Sequence, residues 1–464
     1  MNSSFDGFIV ITNNLTVPYH FERGILKLYL GNNISPAEDT QQLIGYTITG
    51  KQTLFHLTFP LSATGISYNE DRKCIWGNVN LSVDFYVENY EHNSGFYQMK
   101  YVFDELNNMV PSTMNHCSSE DYNKVTFLQD GKIIDEFDFE YKGQQINFIL
   151  KTKTNVCFGN QCKAITLTEL ILKFEKTEDL DFLVQLYRLV QNLFAVICNR
   201  RNVSIEKAEL VSKKNIELTN DKSKQQETKI FSCKHYLFVV DNYAEEFETE
   251  ENRTKTIGYR YVRGHLKELL DLIRDNKVSI SSIHPNNKMK NLIDLNQSLH
   301  ITAAFEFYLR TFLPEISSKT TMEFYDEIMV LMKQYASNQK GKKKRKSQDF
   351  MKGLSPVIPL DEKIKKVYSG YKGYKEIEGK KEYVEWKSLE GVLGEWFGGD
   401  VNKLARVARD WRNELAHEKN EYQPDESVIG AIRLVEHINY CINLRNANYS
   451  DDEIKEIIRQ VLKR

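Results

Sequence analysis

Apolar and polar residues alternate along much of the first 175 or so positions. Leu81, Val83, Phe85 and Val87 fall on one side of an extended chain and Ser82, Asp84 and Glu88 on the other, the pattern of a half-buried strand. Gly45 to Thr49, Leu54 to Phe59, Ile146 to Lys151 and Ile165 to Phe174 read the same way. Asp130-Gly131 stands between the apolar runs Val125 to Leu128 and Ile133-Ile134 and predicts a hairpin turn there. Frequent tyrosine and phenylalanine suit a pleated surface. The expectation is an antiparallel sheet arranged as a two-layer sandwich. From Glu178 to Asn199 the period lengthens: Leu180, Leu183, Leu186, Leu189, Leu193 and Ile197 recur at threes and fours, so an amphipathic helix packs across the sheet. Two further strands are expected over Val203 to Val211 and Ile230 to Val240. Residues 1–245 therefore form a β-rich α+β domain, followed by a linker and connecting helix over 246–294.

From Tyr259 onward the pattern is helical, the connecting helix being expected at Val262 to Asp275 and the bundle from residue 295 to the end. Helices are expected at Leu295 to Leu313, Thr320 to Ser337, Leu360 to Tyr368, Leu389 to Phe397, Asp400 to Lys419, Glu426 to Arg445 and Asp451 to Leu462. Ser450 to Glu453 has the form of a capping box, and Asp400 follows Gly398-Gly399 as an N-cap. The fold class is thus α+β, with an antiparallel N-terminal half and an all-α C-terminal bundle.

One stretch of the Asp400 to Lys419 helix carries chemistry. At about 100° per residue, Leu404, Ala408, Trp411 and Leu415 share one line and commit that face to packing. Asn413 and His417, one turn apart, lie opposite, with Arg409 beside them and Arg412 at the border. Histidine titrates near neutrality and can move a proton, while arginine can hold two phosphate oxygens at once. The plainer reading is a solvated helix face with an arginine–glutamate pair and an idle histidine.

Arg412-Asn413-Glu414-Leu415-Ala416-His417 has the form Arg-Asn-x-x-x-His. It resembles the signature of HEPN domains, helical bundles that are often metal-independent ribonucleases. The β-rich half followed by this bundle resembles the ApeA family of bacterial anti-phage defence proteins. The resemblance implies an endoribonuclease acting in abortive infection, in which the 2′-hydroxyl attacks the adjacent phosphate without a metal or other cofactor. His417 would be the acid/base, Arg412 the phosphate ligand, Asn413 the orienter and Arg409 an outer contact. It also implies a homodimer or higher homo-oligomer, whose second His417 completes the site. RNA, and tRNA in particular, would be the substrate. The N-terminal domain would act as sensor or restraint, answering to a phage-derived trigger. A rival reading keeps the bundle as a non-catalytic module for nucleotide, RNA or a protein partner, attached to a ligand-sensing β domain.

Other residues add less. Glu306, within Leu295 to Leu313, can pair with Arg412 or Arg409, or be a simple surface glutamate. Lys342, Lys343, Lys344, Arg345 and Lys346 make the densest basic run, placed in a loop between helices, where they would attract RNA phosphates or be merely solvated. Lys363 to Lys381 continues the positive charge, and Tyr368, Tyr371 and Tyr374 can stack on bases or anchor a loop. Cys157 and Cys162, with His116 and Cys117, are too loosely spaced to make zinc the first reading. No phosphate-binding glycine loop, zinc-peptidase helix or nucleophile elbow is present in the sequence. Net charge is −2, so nucleic acid is not advertised by a global field. Seven cysteines without regular spacing, a start without secretory character and no bilayer-length apolar run point to a reduced cytoplasmic protein with no membrane partner.

Overall fold

The structure is a computed structural model. It describes residues 4–12, 15–30, 40–61, 77–92, 95–110, 116–118, 125–127, 132–157, 163–219, 226–240, 255–317, 325–353, 358–377, 380–416 and 424–462. The chain divides into two compact units, Met1–Arg263 and Gly264–Arg464. The connecting helix expected between domains thus belongs to the second unit.

The N-terminal unit is built on one twelve-stranded antiparallel sheet, with a separate two-stranded pair. Its strands are β1 (Ser4–Thr12), β2 (Leu15–Glu22), β3 (Ile25–Leu30), β4 (Thr40–Thr47), β5 (Gln52–Leu61), β6 (Gly77–Glu88) and β7 (Phe96–Tyr101). After α1 (Asp104–Met109) come β8 (His116–Ser118), β9 (Val125–Phe127), β10 (Ile133–Tyr141), β11 (Gln144–Cys157) and β12 (Lys163–Thr177). Helix α2 (Leu180–Cys198) and strands β13 (Ala208–Thr219) and β14 (Gln226–Val239) follow. The strand order is β10-β11-β12-β7-β13-β14-β6-β3-β2-β1-β4-β5, with β5 also paired to β6. That last pairing closes β6-β3-β2-β1-β4-β5 into a six-stranded ring, and the remaining strands extend from it as an open sheet. The expected sandwich is not formed. Alternation along each strand specifies two faces, and it is equally satisfied when a sheet curls on itself, so the pattern cannot choose between the two.

The ring is filled by aromatic side chains. Tyr19, Phe21, Phe55 and Tyr86 are buried there, with Phe21 and Tyr86 4.9 Å apart between ring centres in an edge-to-face contact. The turn between β10 and β11 uses Lys142 and Gly143, both at positive φ, which is the hairpin geometry that matches strand twist. The Asp130-Gly131 turn itself lies outside the described residues. Its flanks do not pair with each other: β9 pairs with β8, and β10 pairs with β11. Helix α2 opens on an Asp179 cap and buries its apolar face against the open sheet, Tyr187 meeting Tyr101 of β7 and Phe182 meeting Phe174 of β12. Among the described residues, α2 is the one helix long and apolar enough to cross a membrane, and its apolar side chains are mostly buried within the protein.

The C-terminal unit contains α3 (Leu266–Arg274), α4 (Leu295–Phe312), α5 (Tyr325–Ser337), α6 (Lys342–Gly353) and α7 (Leu360–Ser369). A two-stranded hairpin, β15 (Tyr371–Ile377) and β16 (Lys380–Trp386), then precedes α8 (Glu390–Phe397), α9 (Val401–Ala416), α10 (Glu426–Asn446) and α11 (Asp451–Val461). Helix α10 is the axis of the unit: α4, α9, α11 and α3 all pack on it. Its polar residues are used internally, Asn439 donating to the Ile301 carbonyl at 2.9 Å and Asn443 to the Tyr308 hydroxyl at 3.0 Å. Asp294, Asp425 and the Ser450–Glu453 capping box start α4, α10 and α11 as their sequences direct. The hairpin departs from the all-helical expectation for this half of the chain.

Candidate active site

Helix α9 is held by three others. It packs on α10, on α7 and on α4. Val401, Ala405, Ala408 and Trp411 are buried, so the packing stripe runs along the expected side, with Leu404 and Leu415 only half-buried at its margins. Small residues at 405 and 408 let the neighbouring helices approach closely. Arg412, at the border of that stripe, Asn413, across from it, and Glu414 are all exposed near the end of the helix. His417 lies outside the described residues.

The two arginines differ in their surroundings. Arg409 places a guanidinium nitrogen 3.3 Å from Asp361 of α7 and another 2.7 Å from Asp410. Asp361 is itself buried and has Lys365 at 3.5 Å as a second cation. Arg409 is therefore tied to the scaffold by two carboxylates. Arg412 makes no ion pair or hydrogen bond among the described residues. The plain arginine–glutamate pairing on this face is not seen there either. Its guanidinium is the one in this motif that projects from α9 with its donors uncommitted to described neighbours.

Glu306 does not meet either arginine. It sits on α4, half-buried, and its carboxylate accepts from Lys363 of α7 at 3.1 Å. Lys363 is buried, and a buried ammonium needs such a partner. The reason is positional: α7 lies between, presenting Asp361 to α9 and Lys363 to α4. Asp361 was not singled out from sequence. An acidic first turn after Pro359 reads as a complement to the helix dipole, and nothing local shows that it faces an arginine some fifty residues on.

Lys342, Lys343, Lys344, Arg345 and Lys346 form the first turns of α6, a helix and not the expected loop, and all five are exposed. Tyr368 is buried and Tyr371 half-buried in β15, so the first anchors α7 and neither is a free stacking platform; the Tyr374 side chain is outside the described residues. The side chains of His116, Cys117, Cys157 and Cys162 are likewise outside them. Among the described residues no three histidine, cysteine or carboxylate side chains are grouped to hold a metal ion.

No family model, curated protein or solved structure matches the chain. Chemically, the exposed face of α9 offers a charged donor for an anion at Arg412 and an amide, Asn413, beside it. Four positions after Asn413 the sequence supplies an imidazole, that of His417.

Proposed function

We propose that the protein is a metal-independent endoribonuclease whose C-terminal unit is a HEPN-type bundle acting in anti-phage defence. The observation that carries the reading is the contrast between Arg409, fixed by Asp361 and Asp410, and Arg412, exposed on the same helix with no partner among the described residues. A phosphate ligand must keep its donors available, and no described residue claims those of Arg412.

In the proposed reaction a base takes the proton of the 2′-hydroxyl, and the 2′-oxygen attacks phosphorus. The bond to the 5′-oxygen breaks, and an acid protonates that leaving oxygen. The products are a 2′,3′-cyclic phosphate and a 5′-hydroxyl. Arg412 stabilises the negative charge that grows on the phosphoryl oxygens. His417 is the proton carrier, and Asn413 orients either the imidazole or a phosphate oxygen. One imidazole does not serve as base and acid in a single turnover, so the reading calls for a second copy of the chain. The N-terminal unit is the place for the restraint that a toxic nuclease requires.

Incubation of the purified chain with total tRNA in EDTA tests this. Cleavage that persists, leaves cyclic phosphate ends and is lost in His417→Ala at unchanged helicity supports the enzyme. Ends bearing a 5′-phosphate, or activity unchanged in His417→Ala, refute it. The tethering of Arg409 favours a second reading, because it leaves one guanidinium to bind and removes another. A nucleotide- or RNA-binding bundle without turnover would retain RNA under the same conditions and leave it intact.

A further inference from the structure

Helices α5 and α6 form an antiparallel pair, joined through Gly341 at positive φ. Among their described side chains only Ala336 and Ser347 are buried, and these two stand symmetrically about the turn, so they mark the seam. At 100° per residue, Ile328, Tyr335 and Leu331 lie about 80°, 100° and 140° from Ala336 in one sense of rotation. In that same sense from Ser347, Lys343, Lys346 and Lys342 lie at about 40°, 100° and 140°. Facing antiparallel helices turn the same sense of rotation toward the same flank. One flank of the hairpin therefore carries an apolar strip beside a row of lysines. The strip is wet: Leu331 is 64% exposed, Tyr335 52% and Ile328 39%. Placing five cations on the first turns of α6 also opposes the helix dipole, an arrangement that costs stability unless an anion answers it.

We propose that this flank docks on an anionic lipid surface, with the strip entering the headgroup boundary and Lys342, Lys343 and Lys346 on the lipid phosphates. A bilayer surface is the partner that answers both halves of the pattern. Single-stranded RNA would answer the lysines, but Ile328 and Leu331 have no π-face on which a base can stack. A second copy of this chain would answer the strip, but a two-fold contact sets the lysine row near its own image. The sequence expectation of no membrane partner rests on the lack of a bilayer-length apolar run, which bears on spanning and not on surface binding.

Co-sedimentation of the full chain with phosphatidylcholine vesicles, with and without phosphatidylglycerol, is the test. Binding is expected only with phosphatidylglycerol, weakening as salt rises. Replacing Lys342, Lys343 and Lys346 by serine should lower it about a hundredfold. Ile328→Ser with Leu331→Ser should lower it about tenfold, at unchanged circular dichroism. These positions are exposed, so the fold is expected to survive both changes. No binding to either vesicle overturns the proposal, as does equal binding to both. It is also overturned if the serine variants lose only affinity for an RNA oligonucleotide, or only shift the oligomeric state in gel filtration, while vesicle binding is unmoved.

Discussion

At the scale of single residues, the position of a side chain matters less than what already claims it. Arg409 and Arg412 are one turn apart, yet the first is held by Asp361 and the second by no described partner. Arg412→Ala should therefore leave stability within about 0.5 kcal/mol in urea unfolding. If the proposed function holds, the same change should lower RNA cleavage by at least about a hundredfold. Asp361→Asn should do the reverse in kind, costing about 1–2 kcal/mol of stability through a buried oxygen that loses its ion pairs, with a smaller effect on cleavage. A stability loss in Arg412→Ala equal to that of Asp361→Asn would remove the distinction. Both arginines were legible in the sequence as members of one face; their different partners were not, because Asp361 comes from another helix. Gly7 shows a second kind of residue-level constraint. A Cβ there would stand 2.1 Å from the Tyr46 carbonyl oxygen, part of the strand wall, and 2.7 Å from the Tyr19 side chain, part of the packed interior. Gly7→Ala should cost more than about 2 kcal/mol, read as a lowered midpoint of the N-terminal unit.

At the scale of elements, legibility followed the source of each element's stability. Strands β5 and β12 and helix α2 bury one face, so their period shows in the sequence and the expected bounds lie near the observed ones; β6 begins four residues before its expected start and β11 runs six residues beyond its expected end. The β15–β16 hairpin does not show as strands in its sequence. Its register sets Lys372 against Glu385, Lys375 against Glu382 and Glu376 against Lys381, and the first pair closes to 3.1 Å. Opposite charges across strands stabilise a hairpin without any apolar alternation for a reader to see. Helix α10 has its own signature, a half-buried acid and a buried base on adjacent residues. Burial of Glu436 acts to raise its pKa, but His284, whose Nε2 lies 3.0 Å away, together with the charges of His437 and Lys290, holds it below the ordinary 4.5. Burial lowers the His437 pKa from 6.5, with the Glu436 charge acting against that shift. Both groups bind protons more readily in the unfolded chain, so stability is lost as pH falls. His437 governs the loss from about 6.5 downward and Glu436 the loss below about 4.5. Thermal midpoints of the C-terminal unit should therefore fall between pH 7 and 5, and His437→Gln should flatten that slope. A slope unchanged in the variant would assign the acid sensitivity elsewhere.

At the scale of the whole molecule, the two units bury separate cores: the aromatic filling of the ring and its sheet in Met1–Arg263, and the packing around α10 in Gly264–Arg464. A domain with its own core melts as its own cooperative unit. Calorimetry of the full chain should then show two transitions. Gly7→Ala acts on a wall of the ring and should move one of them, leaving the other within a degree or so; for a unit of this size about 2 kcal/mol corresponds to roughly 4–8 °C. His437→Gln acts on α10 and should move only the other, and only below neutral pH. The pairing of substitutions makes the assignment independent of which transition comes first on heating. A single transition displaced by both changes would mean that the units fold as one body. In that case a signal received in the β-rich unit could alter the stability of helix α9 directly, and the restraint proposed for the nuclease would need no further part. Two independent transitions would leave the proposed restraint to a ligand or partner.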